Sequence, residues 1–137
     1  MNSIRERTQL LLDRLGRLNE VAEPVRRIFV DGKREQLLAG VDAQGVAFAP
    51  LAPSTLRRRN VGPPLVPHGS QSRLITGYVV TVEAHGTELT VDGDWPGLDW
   101  VKYHSTGTRT MPKRDPGGFR DRDIASAAAV VREFVFG

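Results

Sequence analysis

A group of aspartates is the first feature of this 137-residue chain whose side chains could do chemistry. Asp92, Asp94 and Asp99 lie within a short turn-rich stretch, and carboxylate oxygens are ligands that Ca²⁺ and Mg²⁺ accept. The stretch lacks the further ligands and the terminal glutamate of a calcium-binding loop. Aspartates in turns commonly accept hydrogen bonds from nearby backbone amides. The pattern therefore favours turn formation, and we expect no metal site here.

The three histidines, His68, His85 and His104, are far apart in the sequence. No two of them have the four-residue spacing of a zinc-binding helix, and no serine lies in a G-x-S-x-G sequence. The chain has no cysteine, which excludes disulfides, thiolate nucleophiles and cysteine-bound zinc. A small hydrolase using His104 with Asp99 or Asp94 stays as an alternative. The sequence favours a protein that is not an enzyme and uses no cofactor.

A basic, turn-rich loop between residues 103 and 119 follows a strand-like run and precedes a helix-like run. Loops of this length in small domains often carry function, because they lie on the surface and contribute little to the core. Its arginines are interleaved with apolar residues, which is typical of protein interfaces. A second basic cluster follows a proline-rich stretch. The candidate interface residues are Arg57, Arg58, Arg59, His104, Arg109, Met111, Pro112, Arg114 and Phe119.

Composition places the chain among globular proteins, with 39% hydrophobic and 26% charged residues. Its length suits one domain with one core. A formal net charge of +3 is too small to predict nucleic-acid binding by itself, although clustered arginines keep a DNA-contacting module as an alternative. No apolar run reaches the roughly 18 residues of a membrane span, and the N-terminus lacks the pattern of a secretory signal. We expect a cytoplasmic protein.

Helical periodicity dominates residues 1–40. The stretch from Ser3 to Val21 predicts a helix, which Ser3 and Glu6 would start with a capping box. Pro24 fits the first turn of a second helix that ends near Gly40. Residues 41–67 contain many prolines and glycines, so we expect an extended connecting segment. Within it, residues 54–59 could form a helical turn.

In residues 68–137 the apolar residues first alternate with a period of two, and then recur again at helical spacing. They predict a hairpin, a third strand from Trp100 to His104, and a C-terminal helix that starts at Asp121 or Asp123. The expected fold class is α+β, a small antiparallel sheet packed by N- and C-terminal helices, with long loops. The predicted core residues are Leu74, Val80, Val82, Leu89, Val91, Val101, Ile124 and Val131.

Four short motifs, in order, resemble the virion morphogenesis and tail-completion proteins of tailed bacteriophages. The resemblance covers roughly residues 40 to 120, with Phe48 standing where the family usually has tryptophan. The motifs are Gly45 to Thr55 with Pro50 and Leu51, Leu74 to Gly77, Tyr103-His104 with Gly107, and Met111-Pro112 with Arg114 and Phe119.

The resemblance implies a non-enzymatic building block of the virion that acts in head-to-tail joining or tail completion. Such a subunit would be assembled in the cytoplasm of the bacterial host. It would form a homo-oligomeric ring around the DNA channel and contact neighbouring neck, connector or tail-tube proteins. Non-specific contact with DNA in the channel would also follow, and no membrane would be involved. The two extended segments, 41–67 and 104–120, are the regions expected to reach neighbouring subunits.

Overall fold

An antiparallel hairpin lies among helices from both ends of the chain in the computed structural model, which describes residues 3–52, 64–109 and 112–137. This arrangement confirms the expected α+β class. The regular elements, in chain order, are α1 (Ile4–Leu15), a 3₁₀ helix (Leu18–Val21), α2 (Ala22–Leu38), a 3₁₀ helix (Gly69–Gln71), α3 (Arg73–Thr76), β1 (Val79–His85), β2 (Glu88–Asp94), α4 (Val101–Thr106) and α5 (Asp121–Phe136).

Helix α1 begins with the predicted capping box. The hydroxyl of Ser3 accepts a hydrogen bond from the Glu6 amide at 3.2 Å, and the Glu6 carboxylate accepts one from the Ser3 amide at 2.7 Å. The predicted extension of this helix to Val21 is wrong. Gly16 is the C-cap residue of α1, and the chain continues through Arg17 into the first 3₁₀ helix.

Helix α2 buries one face against the sheet and α5. Val25, Phe29 and Leu37 are buried on this face, as its apolar spacing predicts. Two polar residues, Lys33 and Gln36, are buried on the same face. The helix therefore carries a polar group into the interior, and this group is part of the site described below.

The hairpin is the only sheet in the described part of the chain. Strand β1 pairs with β2 in antiparallel register, with Val82 opposite Val91. The predicted third strand from Trp100 to His104 is wrong, because this stretch forms α4 instead. Leu98 and Val101 are both buried, and the Val101 amide donates to the Leu98 carbonyl at 3.1 Å in the turn that leads into α4.

The C-terminal helix α5 packs against α2 and α1, and its Ala127 shares the second core cluster with Val80 of β1. Its start differs from the prediction. Arg120 occupies the N-cap position, while Asp121 and Asp123 lie in the first turn, where carboxylates favour the positive end of the helix dipole. The prediction that Ile124 belongs to the core is wrong, since Ile124 is 48% exposed. Within the described ranges, no helix is long and apolar enough to cross a membrane.

The core is divided among three contiguous clusters. Of the predicted core residues, Leu74, Val80 and Val101 are buried. The others, apart from Ile124, are partly buried against the second or third cluster. The first cluster contains Leu37, Phe48, Leu65, Val66, Leu74, Leu98 and Val101. The second contains Val25, Phe29, Val80 and Ala127, and the third contains Leu18, Val21 and Val135.

Candidate functional site

The loop between α4 and α5 is closed at its base by a backbone hydrogen bond. The amide of Arg114 donates to the carbonyl of His104 at 2.8 Å, so the chain leaves α4 and returns to the same place. We call residues 105–113 the loop tip; residues 110 and 111 of it lie outside the described residues, and with them the candidate Met111. The closed base fixes where the loop leaves the rest of the fold.

Arg114 fastens the loop to residues 49 and 50, which lie within the 41–67 segment. Its Nε atom donates to the carbonyl of Ala49 at 2.7 Å, and its Nη2 atom donates to the carbonyl of Pro50 at 2.8 Å. The residue is only 8% exposed. The expectation that Arg114 belongs to an exposed interface is therefore corrected: its guanidinium joins two segments of its own chain.

Phe119 is partly buried at the C-terminal end of the loop. Its ring contacts that of Phe29, with centroids 4.5 Å apart and an interplanar angle of 46°. It packs against the second core cluster, where the interaction of two aromatic rings adds to the burial of apolar area. Phe119 thus anchors the end of the loop to α2, and its assignment to an interface stays a prediction.

Lys33 holds the stretch between Arg114 and Phe119. Its Nζ atom donates to the carbonyls of Pro116 at 2.6 Å and Gly118 at 2.7 Å, and to Oε1 of Gln36 at 3.2 Å. These three acceptors match the three donors of an ammonium group. The side chain is 3% exposed. Its bonds to Pro116 and Gln36 are buried and its bond to Gly118 is partly buried, so losing them is costly.

Two aromatic rings and two carboxylates surround the Lys33 ammonium. Its Nζ atom lies 5.5 Å from the centroid of the Tyr78 ring and 5.8 Å from that of Trp95. Burial lowers the pKa of Lys33 from 10.5 to about 8, and the charges of Asp115 and Asp123 oppose this change. Burial also raises the pKa of Tyr78. The lysine is therefore still mainly charged at neutral pH, as a donor to three oxygens should be.

The loop tip itself carries exposed cations. Arg109, Pro112 and Lys113 are exposed, and neither Arg109 nor Lys113 forms an ion pair with the described residues. A cation held on a closed loop can approach an acidic surface without first leaving an internal partner. Of the candidate interface residues, Arg109 and Pro112 are thus the ones whose exposure suits a contact. Arg57, Arg58 and Arg59 lie outside the described residues.

His104 is half-buried at the loop base, and its ring meets that of Trp100 edge to face at 5.6 Å between centroids. The aspartates named in the hydrolase alternative lie elsewhere. Asp94 and Asp99 line a shallow depression beside α4, and His104 is not among the residues that line it. In the described ranges no group of three histidine or carboxylate residues is placed to hold a metal ion. The hydrolase alternative gains no support from this geometry.

Comparison of the chain with protein-family models, curated protein sequences and solved structures gave no match.

Sequence reasoning missed Lys33, which holds the end of the loop, although the sequence contains a signal for it. Lys33 follows Phe29 by four residues and precedes Leu37 by four, so it shares their helix face. A charged residue at such a position indicates a buried partner. The carbonyl acceptors could not be found in the same way, because backbone groups leave no mark in the sequence.

Proposed function

We propose that this protein is a structural subunit of the head-to-tail junction or tail end of a tailed bacteriophage, or of a particle derived from one. It binds copies of itself in a ring and contacts neighbouring connector or tail-tube proteins. It transforms no substrate. The proposal starts from the four motifs and their order, and one observation on their arrangement carries it further.

The four motif segments meet in one region of the fold. Phe48 of the first segment and Leu74 of the second belong to the first core cluster, together with Val101 beside the third. Arg114 of the fourth segment bonds the third through the His104 carbonyl and the first through its guanidinium. Segments far apart in sequence thus act as one structural unit, which supports treating their shared order as meaningful.

The loop tip is the surface that the proposal assigns to contact. The base of the loop is fastened by Arg114, and the end of the loop before α5 is fastened by Lys33 and Phe119. Arg109 and Lys113 of the loop tip are exposed. A ring requires head-to-tail contacts, in which a projecting part of one subunit meets a different surface of the next. A loop with a fixed base suits this role, because its attachment to the rest of the subunit does not have to be ordered on binding.

The deciding experiment compares assembly of the natural chain with that of an Arg109→Glu/Lys113→Glu variant. Mass photometry and negative-stain electron microscopy should show rings of the natural chain, alone or with its connector and tail-tube partners. We expect the variant to stay folded and to lose most of this assembly. Arg7→Glu/Arg34→Glu is the matched control, since both arginines are exposed on helices away from the loop.

Three results would count against the proposal. One is a natural chain that stays monomeric with every neighbouring virion protein. Another is hydrogen exchange in residues 104–120 that none of those proteins changes. The last is a phage that lacks the gene and still produces joined, infectious particles.

A DNA-contacting module is the second candidate, because the exposed cations of the loop tip could also neutralise phosphates. Its affinity for duplex DNA would fall steeply with salt, with a log–log slope of about −0.9 for each phosphate contacted. The Arg109→Glu/Lys113→Glu variant would reduce that slope. A flat salt response would remove this candidate.

A further inference from the structure

A cavity of about 240 Å³ lies between the loop base, α3 and two parts of the 41–67 segment, at Leu51 and at Leu65 and Pro67. Four of its lining residues carry or can carry positive charge: His68, Arg73, His104 and Arg114. Among the described residues that line the cavity there is no aspartate or glutamate. The charged residues of this cavity are therefore all basic, and a concave basic surface favours the binding of an anion.

Arg114 gives the strongest indication of a ligand. Its side chain is buried, and its two bonds go to the uncharged carbonyls of Ala49 and Pro50. No carboxylate of the described residues forms an ion pair with it, and the remaining segments of the sequence contain no aspartate or glutamate. A buried charge is normally paired, so the protein itself leaves this guanidinium without a counter-ion.

The rest of the lining is apolar. Leu51, Leu65 and Pro67 form one part of the wall, and Trp100, 37% exposed, forms another. A free inorganic ion would leave these side chains uncovered. A ligand with an anionic end and an apolar body would use both parts of the wall, as small-molecule sites generally do.

We infer that this cavity binds a carboxylate joined to a small apolar body. Arg114 and Arg73 pair with the carboxylate, since a guanidinium presents paired donors to a carboxylate in plane. Trp100 and the two leucines contact the apolar body. The inference does not depend on the proposed function, because the cavity is separate from the exposed cations of the loop tip.

The test is a titration of ¹⁵N-labelled protein with benzoate, followed by NMR. Benzoate should shift the indole N–H signal of Trp100. The indole of Trp95 should not respond, because its N–H is bonded to the Leu74 carbonyl at 2.8 Å. Arg73→Gln removes an exposed cation of the cavity and should weaken benzoate binding about tenfold, a typical loss for one charged hydrogen bond. Arg7→Gln is the control and should leave the affinity unchanged.

Three further probes separate the outcomes. Benzyl alcohol, a neutral analogue, should bind at least about tenfold more weakly than benzoate, as should inorganic phosphate. Equal binding of benzyl alcohol, equal binding of phosphate, or no response of Trp100 to benzoate would each overturn the inference. A blocked tripeptide with glutamate between two leucines identifies the source of the carboxylate. Its binding points to a protein side chain, whereas binding of benzoate alone points to a free organic acid, and either result supports the site.

Discussion

The Nζ atom of Lys33 lies 2.6 Å from the carbonyl oxygen of Pro116, although the two residues are 83 positions apart in the chain. This bond joins a helix of the N-terminal half to the loop that precedes the C-terminal helix. It places a buried cation between the hairpin, α2 and the loop. Four predictions follow from this contact and from comparable contacts around the loop.

Replacing Lys33 with methionine should destabilise the protein by about 2–4 kcal/mol, because the buried carbonyl of Pro116 and the partly buried carbonyl of Gly118 lose their donor. Urea unfolding followed by circular dichroism measures the change. Lys102→Met is the matched control, since Lys102 is exposed, and it should change stability by less than about 0.5 kcal/mol. Equal effects of the two substitutions would contradict a structural role for the Lys33 bonds.

Stability should rise with pH between about 8 and 10 in the natural chain. The unfolded chain keeps Lys33 protonated up to about 10.5, whereas the folded protein releases this proton near 8. The unfolded state therefore binds more protons in this range, and the free energy of unfolding increases by about 2.5 kcal/mol from this residue alone. Burial raises the pKa of Tyr78, so its ionisation in the unfolded chain acts in the opposite direction above about pH 10.

Lys33→Met isolates this pH effect, because every other titrating group is retained. The difference in unfolding free energy between the natural chain and the variant should grow as the pH rises from 8 to 10. A difference that is constant over this range would mean that Lys33 has an ordinary pKa in the folded protein.

Gly32→Ala should destabilise the protein by about 1–2 kcal/mol, although alanine is the better helix former. A Cβ at position 32 would overlap the carboxylate of Asp123. That carboxylate cannot easily move, because the Arg120 guanidinium holds it with bonds of 2.7 and 2.9 Å. Thermal unfolding measures the effect, and Gly16→Ala is the control because its Cβ would meet only ordinary contacts at 3.5 Å or more.

A second substitution tests the cause of the Gly32→Ala effect. Asp123→Ala should be less harmful in the Gly32→Ala background than in the natural chain, because it removes the overlap. Additive effects of the two changes would show that the carboxylate is not the obstacle.

Arg114→Gln should destabilise the part of the 41–67 segment that contains Ala49 and Pro50. Its guanidinium supplies both donors to Ala49 and Pro50, so their loss should cost about 2–3 kcal/mol and speed hydrogen exchange of the Phe48 amide. Arg109→Gln, an exposed residue of the same loop, should leave both quantities nearly unchanged. Unaltered exchange at Phe48 in the Arg114 variant would disprove the fastening role.

Much of the fold could be predicted from the sequence wherever a residue pattern is compatible with only one secondary structure. The capping box at Ser3 and Glu6 and the alternation that forms the hairpin are local signals, and the structure confirms both. The predicted strand from Trp100 to His104 failed because a short apolar run fits a strand or a helical turn equally well. Tertiary packing of Leu98 and Val101 decided in favour of the helix.

The candidate site was only partly accessible. The loop was identified as the notable region from its composition, and its exposed Arg109 and Pro112 agree with a surface position. Arg114 and Phe119 could not be separated from them, because an arginine or phenylalanine in a loop has no period that reveals burial. The acceptors of Arg114 lie 64 and 65 residues away, and no local pattern predicts such pairings. The interface itself stays a prediction.

Both cations that fasten the loop, Lys33 and Arg114, bind main-chain carbonyls and no side chain of the segments they hold. Main-chain recognition is indifferent to the amino acids that occupy the intervening positions. We therefore expect foreign peptides of matching length, grafted between Gly107 and Lys113, to leave these bonds in place. Gly107 is kept because it ends α4 with a φ of 74°. Such a graft would make the protein a small display scaffold with a fixed attachment and a variable inserted sequence.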